Sequence, residues 1–425
     1  MLTQEENDLL TRVGPGTPGG DLLRRYWHPF AAASEITPDR PKKRVRLLGE
    51  DLVLYRAESG GYGLLAEHCS HRGTSLYYGF IEDGGLRCPY HGWLYDSSGR
   101  CLEQPFEPAQ SMMKQTLRHG AYPVQELGGL LFAYLGPPEK QPLLPRWDLM
   151  VWPGATRRIT VQQILRCNWV QAEENSADVT HTFFLHGHTM ELKGLAKGSY
   201  LYNQPFVWYG FQPFPWGLLK SWEYEGQFGG TGWGNLLVFP TMLRQHTAPG
   251  FAGNPDRLDA TMHWRTPVDD ENTQIFQLRV EWFPKEPLDP EPEPTVSYAN
   301  TWFSEDGDYH MNTFESQDGM AWETQGAIAN RAAEHVGASD RGVVMFRDLL
   351  REQIETVRQG GDPIGVVFST EENQLVDLEV WLSERGNGQA PPSRIVQRKP
   401  RDTILDDRHE VYQVPFGTAR PRTSV

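Results

Sequence analysis

Cys69-Ser70-His71 and Cys88-Pro89-Tyr90-His91 each place one thiol and one imidazole within a few residues, and Gly73 and Gly92 follow closely. Two thiolates and two neutral imidazoles can hold an iron–sulfur cluster whose irons differ in their ligands, Cys69 and Cys88 on one, His71 and His91 on the other. An iron bound by imidazoles carries less negative charge, so such a cluster accepts an electron more readily than one held by four thiolates. Glycine suits loops whose backbone must run close to inorganic sulfide.

A structural zinc site also uses two Cys and two His. Zinc modules usually pair Cys with Cys and His with His, whereas each half here is mixed. The set is that of a Rieske [2Fe–2S] centre, an electron carrier that needs about a hundred residues. The chain has 425, enough for two or three domains, so something else in it must use the electrons.

A second group lies in Asn175-Ser176-Ala177-Asp178-Val179-Thr180-His181-Thr182-Phe183-Phe184-Leu185-His186. Asp178 and His181, three apart, share a helix face. His186, five beyond His181, falls about 140° around an ideal helix at about 100° per residue. Both imidazoles can face one metal only if the helix ends or bulges between them, and Gly187 offers a C-cap that would end it. Two His and one carboxylate, with other positions open, form the facial triad of non-haem Fe(II) oxygenases. Hydrogen-bonded helical His would explain the pattern as well. The completing carboxylate must be distant; Asp318, in Glu315-Ser316-Gln317-Asp318-Gly319-Met320-Ala321-Trp322, stands near apolar residues, although a capping or surface Asp would fit the same pattern.

Short alternating runs from Lys43 to about Leu135, such as Val45–Leu48, Leu52–Tyr55 and Leu130–Tyr134, predict an antiparallel β domain around the cluster loops. Residues 1–40 read as an N-terminal helical segment, with a break at Gly14–Gly20 and a helix over Asp21–Trp27. Gly136–Pro142 marks a boundary, giving a cluster domain over 41–149, a second domain over 150–383 and an extended tail over 384–425 that wraps a neighbour or stays mobile. Leu236–Phe239, Ala260–Trp264 and Gln274–Val280 read as strands. Val343, Phe346, Leu350, Ile354 and Val357 recur at helical spacing, with Ser339 as cap and Gly360 as stop. The fold class expected is α+β.

Lys and Arg total 40 against 55 Asp and Glu, a formal charge of −15, which disfavours nucleic acid and anionic lipid as partners. No run of eighteen apolar residues and no basic, apolar start occur, so the reading is a cytoplasmic protein without a membrane span. Four cysteines, two of them committed to the cluster, suit a reducing compartment. Cys101 reads as a small buried thiol.

Nearly the full length resembles the Rieske non-haem iron oxygenases, specifically oxygenase components (alpha subunits) related to phthalate 4,5-dioxygenase. The resemblance rests on Gly16-Thr17-Pro18 to Tyr26-Trp27, Cys69 to Trp93, Gly99 to Glu107, Asn175 to His186, Phe239-Pro240-Thr241-Met242-Leu243-Arg244 and Gln317 to Arg331. It implies that His181, His186 and Asp318 bind a mononuclear Fe(II), with Asn175 nearby. It implies that Asp178 links His181 to the partner subunit's His91, in a trimer or a pair of trimers, and that the second domain is a curved antiparallel sheet gripping a long helix. NADH electrons would arrive through a separate flavin or iron–sulfur reductase.

The function expected from the resemblance is ring hydroxylation of an aromatic carboxylate with O2, with aryl-ether O-demethylation as the alternative. A Rieske electron-transfer or sensor protein is the alternative of another class. Phe183, Phe184, Trp208, Phe211, Phe214, Trp216, Trp222 and Trp233 are pocket candidates, core filling being the competing role. Arg244 lies where phthalate-type relatives place a basic residue near the substrate carboxylate, and an ordinary salt bridge is its alternative. Tyr200–Val207 holds no Arg or Lys, so a two-pronged dicarboxylate clamp is not evident.

Overall fold

The computed structural model describes residues 2–58, 60–195, 206–224, 233–245, 247–249, 257–283, 285–299, 302–383 and 410–413. The fold is mixed, with small N-terminal β-sheets that carry the cluster loops and a large, almost wholly antiparallel C-terminal sheet. Two four-stranded sheets build the first part. One runs Lys42–Leu47, Glu50–Arg56, Tyr62–Ala66, Ala121–Tyr122; the other Phe80–Glu82, Gly85–Arg87, Leu94–Tyr95, Cys101–Glu103. Val53, Tyr55, Leu65, Leu76, Leu86, Trp93 and Tyr95 fill the space between them, together with Cys69, Cys88 and Cys101.

The large sheet has ten strands among the described residues. Its spatial order is Thr295–Ala299, Thr156–Gln162, Thr273–Trp282, Leu258–Pro267, Met242–Arg244, Trp233–Val238, Gly217–Tyr224, Phe206–Phe214, Glu410–Gln413, with Ala248–Pro249 beside Leu258–Pro267. Only the pairing of Thr156–Gln162 with Thr295–Ala299 is parallel. Alternation along the strands decides what each face covers. Leu218 and Leu237 point to one side, where they meet Phe346, Leu350 and Ile354 of the long helix Arg341–Arg358. Leu219, Leu236 and Val238 point to the other, packing with Phe132, Trp147, Met262 and Trp264.

The long helix starts after a turn over Ala338–Asp340, with Asp340 and not Ser339 at its N-cap. The Asp340 carboxylate faces back and accepts from the Gly337 N–H at 2.7 Å, so no side chain caps the helix. It ends at Arg358, and Gly360 follows at φ +82°, where a glycine is favoured. A Cβ at Gly342 would lie 2.1 Å from the Ala177 carbonyl oxygen, so this glycine lets the helix rest directly on the chain leading into Asp178.

The N-terminus departs from expectation. Helices form at Gln4–Thr11 and Pro18–Leu23, the latter started by Thr17, whose hydroxyl accepts from the Gly20 N–H, and by Pro18 in its first turn. The expected helix over Asp21–Trp27 therefore stops early. Trp27–Ala32 is instead an edge strand of a three-stranded sheet with Leu130–Tyr134 and Val124–Leu127. Pro29 explains the choice, because it would break a continuing helix but is tolerated at a sheet edge, and the register slips just there, between Pro29 and Ala31. The tail over 384–409 lies outside the described residues, while Glu410–Gln413 pairs with Trp208–Phe211. No helix among the described residues is long and apolar enough to cross a membrane.

Candidate metal centres

Each cluster loop closes on itself. The Cys69 N–H donates to the Thr74 carbonyl at 2.9 Å and the Gly73 N–H to Cys69 at 2.8 Å. In the second loop Cys88 donates to Trp93 at 2.8 Å and Gly92 to Cys88 at 3.1 Å. Gly73 and Gly92 take φ of +75° and +74°, a turn that other residues adopt only with strain.

Both thiols are buried, and burial, with Cys69 beside it, pushes the Cys88 thiol up. The His71 and His91 rings sit 4.6 Å apart, His71 stacking on Trp93 at 4.4 Å. His71 Nδ1 is buried with no hydrogen-bond partner. Two neighbouring buried thiols, and a buried imidazole nitrogen without a hydrogen-bond partner, fit a cluster held by Cys69, Cys88, His71 and His91. The Cys101 thiol is buried and donates to the Glu103 carbonyl at 3.5 Å, in keeping with a small buried thiol.

The second centre begins on the helix Trp169–Ser176, capped by Asn168. Glu174 fixes it from below. Arg331 donates to both Glu174 oxygens at 2.9 and 2.8 Å, and Arg347 of the long helix adds a third bond at 2.6 Å. Burial would raise the Glu174 carboxyl, but the two guanidiniums outweigh it and hold it below its ordinary value.

After Asp178 the chain forms a π-helix over Thr182–His188 that runs on into a helical turn, Thr189–Leu192. Of the two geometries open to His181 and His186, the bulge is the one found, and Gly187 lies within the helix instead of ending it. A π-helix bonds residue i to i+5, so residues five apart approach each other, and the two rings stand 5.3 Å apart. Asp318 comes from the helix Phe314–Glu323, started by Thr313, whose hydroxyl accepts from Ser316 N–H at 3.2 Å.

One ligand atom each from His181, His186 and Asp318 lies within 4.8 Å of the others. His186 Nε2 is 3.4 Å from Asp318 Oδ1, and Asn175 Nδ2 donates to the same oxygen at 3.4 Å. His181 Nδ1 meets Asp178 Oδ2 at 3.2 Å, and His186 Nδ1 meets Gln317 Oε1 at 2.8 Å. Both acceptors place the proton on Nδ1 and turn Nε2 towards the shared space, the arrangement that orients a metal-binding imidazole. Burial raises the Asp318 carboxyl, but His186, His181 and Arg265 outweigh it and keep it ionised. The donor set fits a divalent iron.

Asp178 is held firmly. Its Oδ1 accepts from Thr180 N–H at 2.8 Å and Thr180 Oγ1 at 3.0 Å, and its carbonyl accepts from Lys220 Nζ at 2.7 Å. Burial opposes ionisation, yet His181, the Thr180 N–H and Lys220 together hold the carboxyl well below its usual range. Lys220, Gln317, Glu173 and Arg265 were not anticipated as neighbours of the site. Burial lowers Lys220 to about 8 and raises Glu173 to about 8. The one visible signal was a lysine within the apolar run Gly217-Leu218-Leu219-Lys220-Ser221-Trp222.

Arg244 takes the salt-bridge alternative. It is fully buried, with Nη2 2.6 Å from Glu379 Oε2 and 3.3 Å from Asp148 Oδ2. A guanidinium already matched by two carboxylates has no charge left for a substrate. Among the aromatic candidates, Phe214 and Trp216 belong to the main core, while Phe183, Phe211 and Trp222 pack around Val179, next to Asp178. Phe184 is exposed. Tyr200–Pro205 and the Trp233 side chain lie outside the described residues.

A family model described as the Rieske [2Fe-2S] domain matches residues 26–119, and one described as LigXa C-terminal domain like matches 300–381. The 5,5'-dehydrodivanillate O-demethylase oxygenase subunit of Sphingobium sp. is 37% identical, covering 89% of this chain and 86% of that protein. The phthalate 4,5-dioxygenase oxygenase subunit of Pseudomonas putida is 33% identical, covering 90% and 93%. Among solved structures, Pseudomonas putida CBB5 NdmA with caffeine superposes with a TM-score of 0.60 at 21% identity, covering 80% of this chain and 93% of that one, which speaks for the fold alone.

Proposed function

Because the chain belongs to the Rieske oxygenase alpha-subunit family and is therefore an oxidoreductase, we propose that it is the terminal oxygenase of an NADH-dependent multicomponent system acting on an aromatic carboxylate. The observation that carries this reading is the convergence of His181, His186 and Asp318, each imidazole anchored through Nδ1. When bound, the Rieske cluster supplies single electrons from a separate reductase and the mononuclear Fe(II) activates O2. The aromatic-acid class is supported by the phthalate relative. O-Demethylation of an aryl ether is the second reading, favoured by the more similar O-demethylase.

The chain's own residues hold this chemistry in place. Gln317 and Asp178 fix the imidazoles, Asn175 steadies Asp318, and Lys220 pins the backbone of Asp178. We also place Asp178 at a subunit boundary, linking His181 to the partner subunit's His91 in a trimer or a pair of trimers. Supporting this are the exposed apolar side chains at both ends of that path: Tyr90 (56%), Phe106 (84%) and Met112 (61%) near the cluster, and Phe184 (64%), Leu192 (74%) and Leu195 (55%) beyond His181. On the same reading the functional units divide near residues 41, 150 and 384.

Single-turnover mass spectrometry under ¹⁸O₂, with chemically reduced protein and a panel of benzoates, phthalates and methoxybenzoates, tests the proposal. Two labelled oxygens in a ring product support dihydroxylation, and a phenol with formaldehyde moves the assignment to O-demethylation. If no substrate is oxidised and no iron binds beyond that of the cluster, the chain is an electron carrier or sensor.

A further inference from the structure

We propose that Glu173, Ser176, Arg265 and His263 enclose a buried hydrated chamber behind the mononuclear centre, in which the Glu173 carboxyl carries a proton and His263 passes it to the oxygen being reduced. The inference rests on the reading of the chain as an oxygenase, and not on which substrate it takes.

Glu173 and Ser176, three apart, share one face of the helix Trp169–Ser176, and both are fully buried. That helix packs on the strand Leu258–Pro267. Met262 and Trp264 of this strand belong to the core on the far side of the sheet, so alternation turns His263 and Arg265 towards the helix. Neither Glu173 oxygen has a hydrogen-bond partner among the described residues, and nor do Ser176 Oγ, Arg265 Nε and His263 Nε2. Arg265 Nε stands 3.8 Å from Glu173 Oε2, close enough to attract but too far for a hydrogen bond. Buried polar atoms are nearly always satisfied, and where several converge from two facing elements without bonding each other, ordered water joins them, each molecule making about three bonds.

The charged groups around the chamber are Arg265 and Lys220, with Asp178 and Asp318 beyond them. Burial outweighs both cations at Glu173 and lifts its carboxyl to about 8, so it holds a proton at neutral pH. Burial, then Arg265, lowers His263 to about 3, so its imidazole is neutral. A neutral imidazole accepts at one nitrogen and donates at the other, and so passes a proton without keeping it. The Asp318 charge acts on His263, which puts the outlet of this relay beside the ligand space. Each O2 consumed takes two electrons and two protons. The electrons arrive through the cluster. The Glu173 O–H bond breaks, and its proton ends on an oxygen atom from O2, in water or in a product hydroxyl. The second proton comes from solvent, which also reprotonates the carboxylate once product has left.

The test compares full-length native protein, loaded at both metal centres, with Glu173→Gln. Glutamine matches a protonated carboxyl in shape and charge, so a packing role survives the exchange and a proton-carrying role does not. Infrared spectra at neutral pH are expected to show a protonated carboxyl band that shifts in D2O and is missing from Glu173→Gln. Re-oxidation of the chemically reduced cluster by O2, followed optically in a single turnover with the aromatic panel, is expected to slow about 100-fold or more in Glu173→Gln at native iron content. If that variant does not fold or load, His263→Leu should keep the infrared band and show the same slowing. Native protein that is not re-oxidised with any substrate sinks the oxygenase reading and this proposal with it. Native protein that turns over beside an equally fast Glu173→Gln or His263→Leu, or that lacks the infrared band, overturns this proposal alone.

Discussion

Replacing Gln317 by Leu should weaken iron binding at the mononuclear centre while sparing the cluster. Gln317 is fully buried, accepts from His186 Nδ1 at 2.8 Å and donates to the Met311 carbonyl at 3.0 Å. In the native chain the His186 proton is therefore held on Nδ1, leaving Nε2 to bind a metal. In the variant Nδ1–H loses the Gln317 acceptor, and the metal-free imidazole gains by moving its proton to Nε2, where Asp318 Oδ1 stands 3.4 Å away. Metal must then displace a proton and break that contact. An unsatisfied buried donor costs about 1–3 kcal/mol, and at about 1.4 kcal/mol per factor of ten the affinity should fall about 5- to 150-fold, overlapping the about 10- to 100-fold losses usual for such supporting groups. Anaerobic Fe(II) titration of protein stripped at the mononuclear site, with the cluster spectrum as internal control, measures this. A dissociation constant within about twofold of native, with an intact cluster, would refute the tautomer argument.

Asp178→Ala should retain iron at both centres yet lose most of its turnover; normal activity would sink the electron-path role of Asp178. Arg244→Leu leaves Asp148 and Glu379 buried without their cation, so the urea midpoint should drop by an amount equivalent to about 3–5 kcal/mol, with KM unchanged. A raised KM at native stability would instead return Arg244 to substrate binding. Burial lifts the Glu173 carboxyl from 4.5 to about 8, so the folded chain keeps a proton that the unfolded chain releases. The associated stability is complete below about pH 4.5 and is lost as pH rises through about 8. Glu173→Gln should flatten that decline in urea midpoints, and parallel curves for the two proteins would contradict it.

The cluster loops were legible because four ligands, two glycines and their spacing all lie within a short stretch. The strands around Leu236–Phe239, Ala260–Trp264 and Gln274–Val280 were legible too, since apolar residues must fill both faces of a covered sheet. Local pattern failed where the deciding partner is remote. Arg244 looks the same in sequence whether it awaits a ligand or already meets Asp148, 96 residues away, and Glu379, 135 away. Gln317 reads as an ordinary helical glutamine until His186 is brought to it, and the edge strand at Trp27–Ala32 depends on Leu130–Tyr134 being available to pair.

The π-helix between the two imidazoles has a consequence for how this site tolerates change in chain length. A π-turn is an α-turn with one residue too many. Deleting one residue from Thr182–Leu185 would restore an α-helix and leave the histidines four apart, a spacing that also puts two imidazoles on one face of a helix. Inserting one has no such refuge, because the segment has already absorbed its spare residue. Indels here should therefore be asymmetric in effect, with shortening accommodated by the backbone and lengthening paid in ligand geometry.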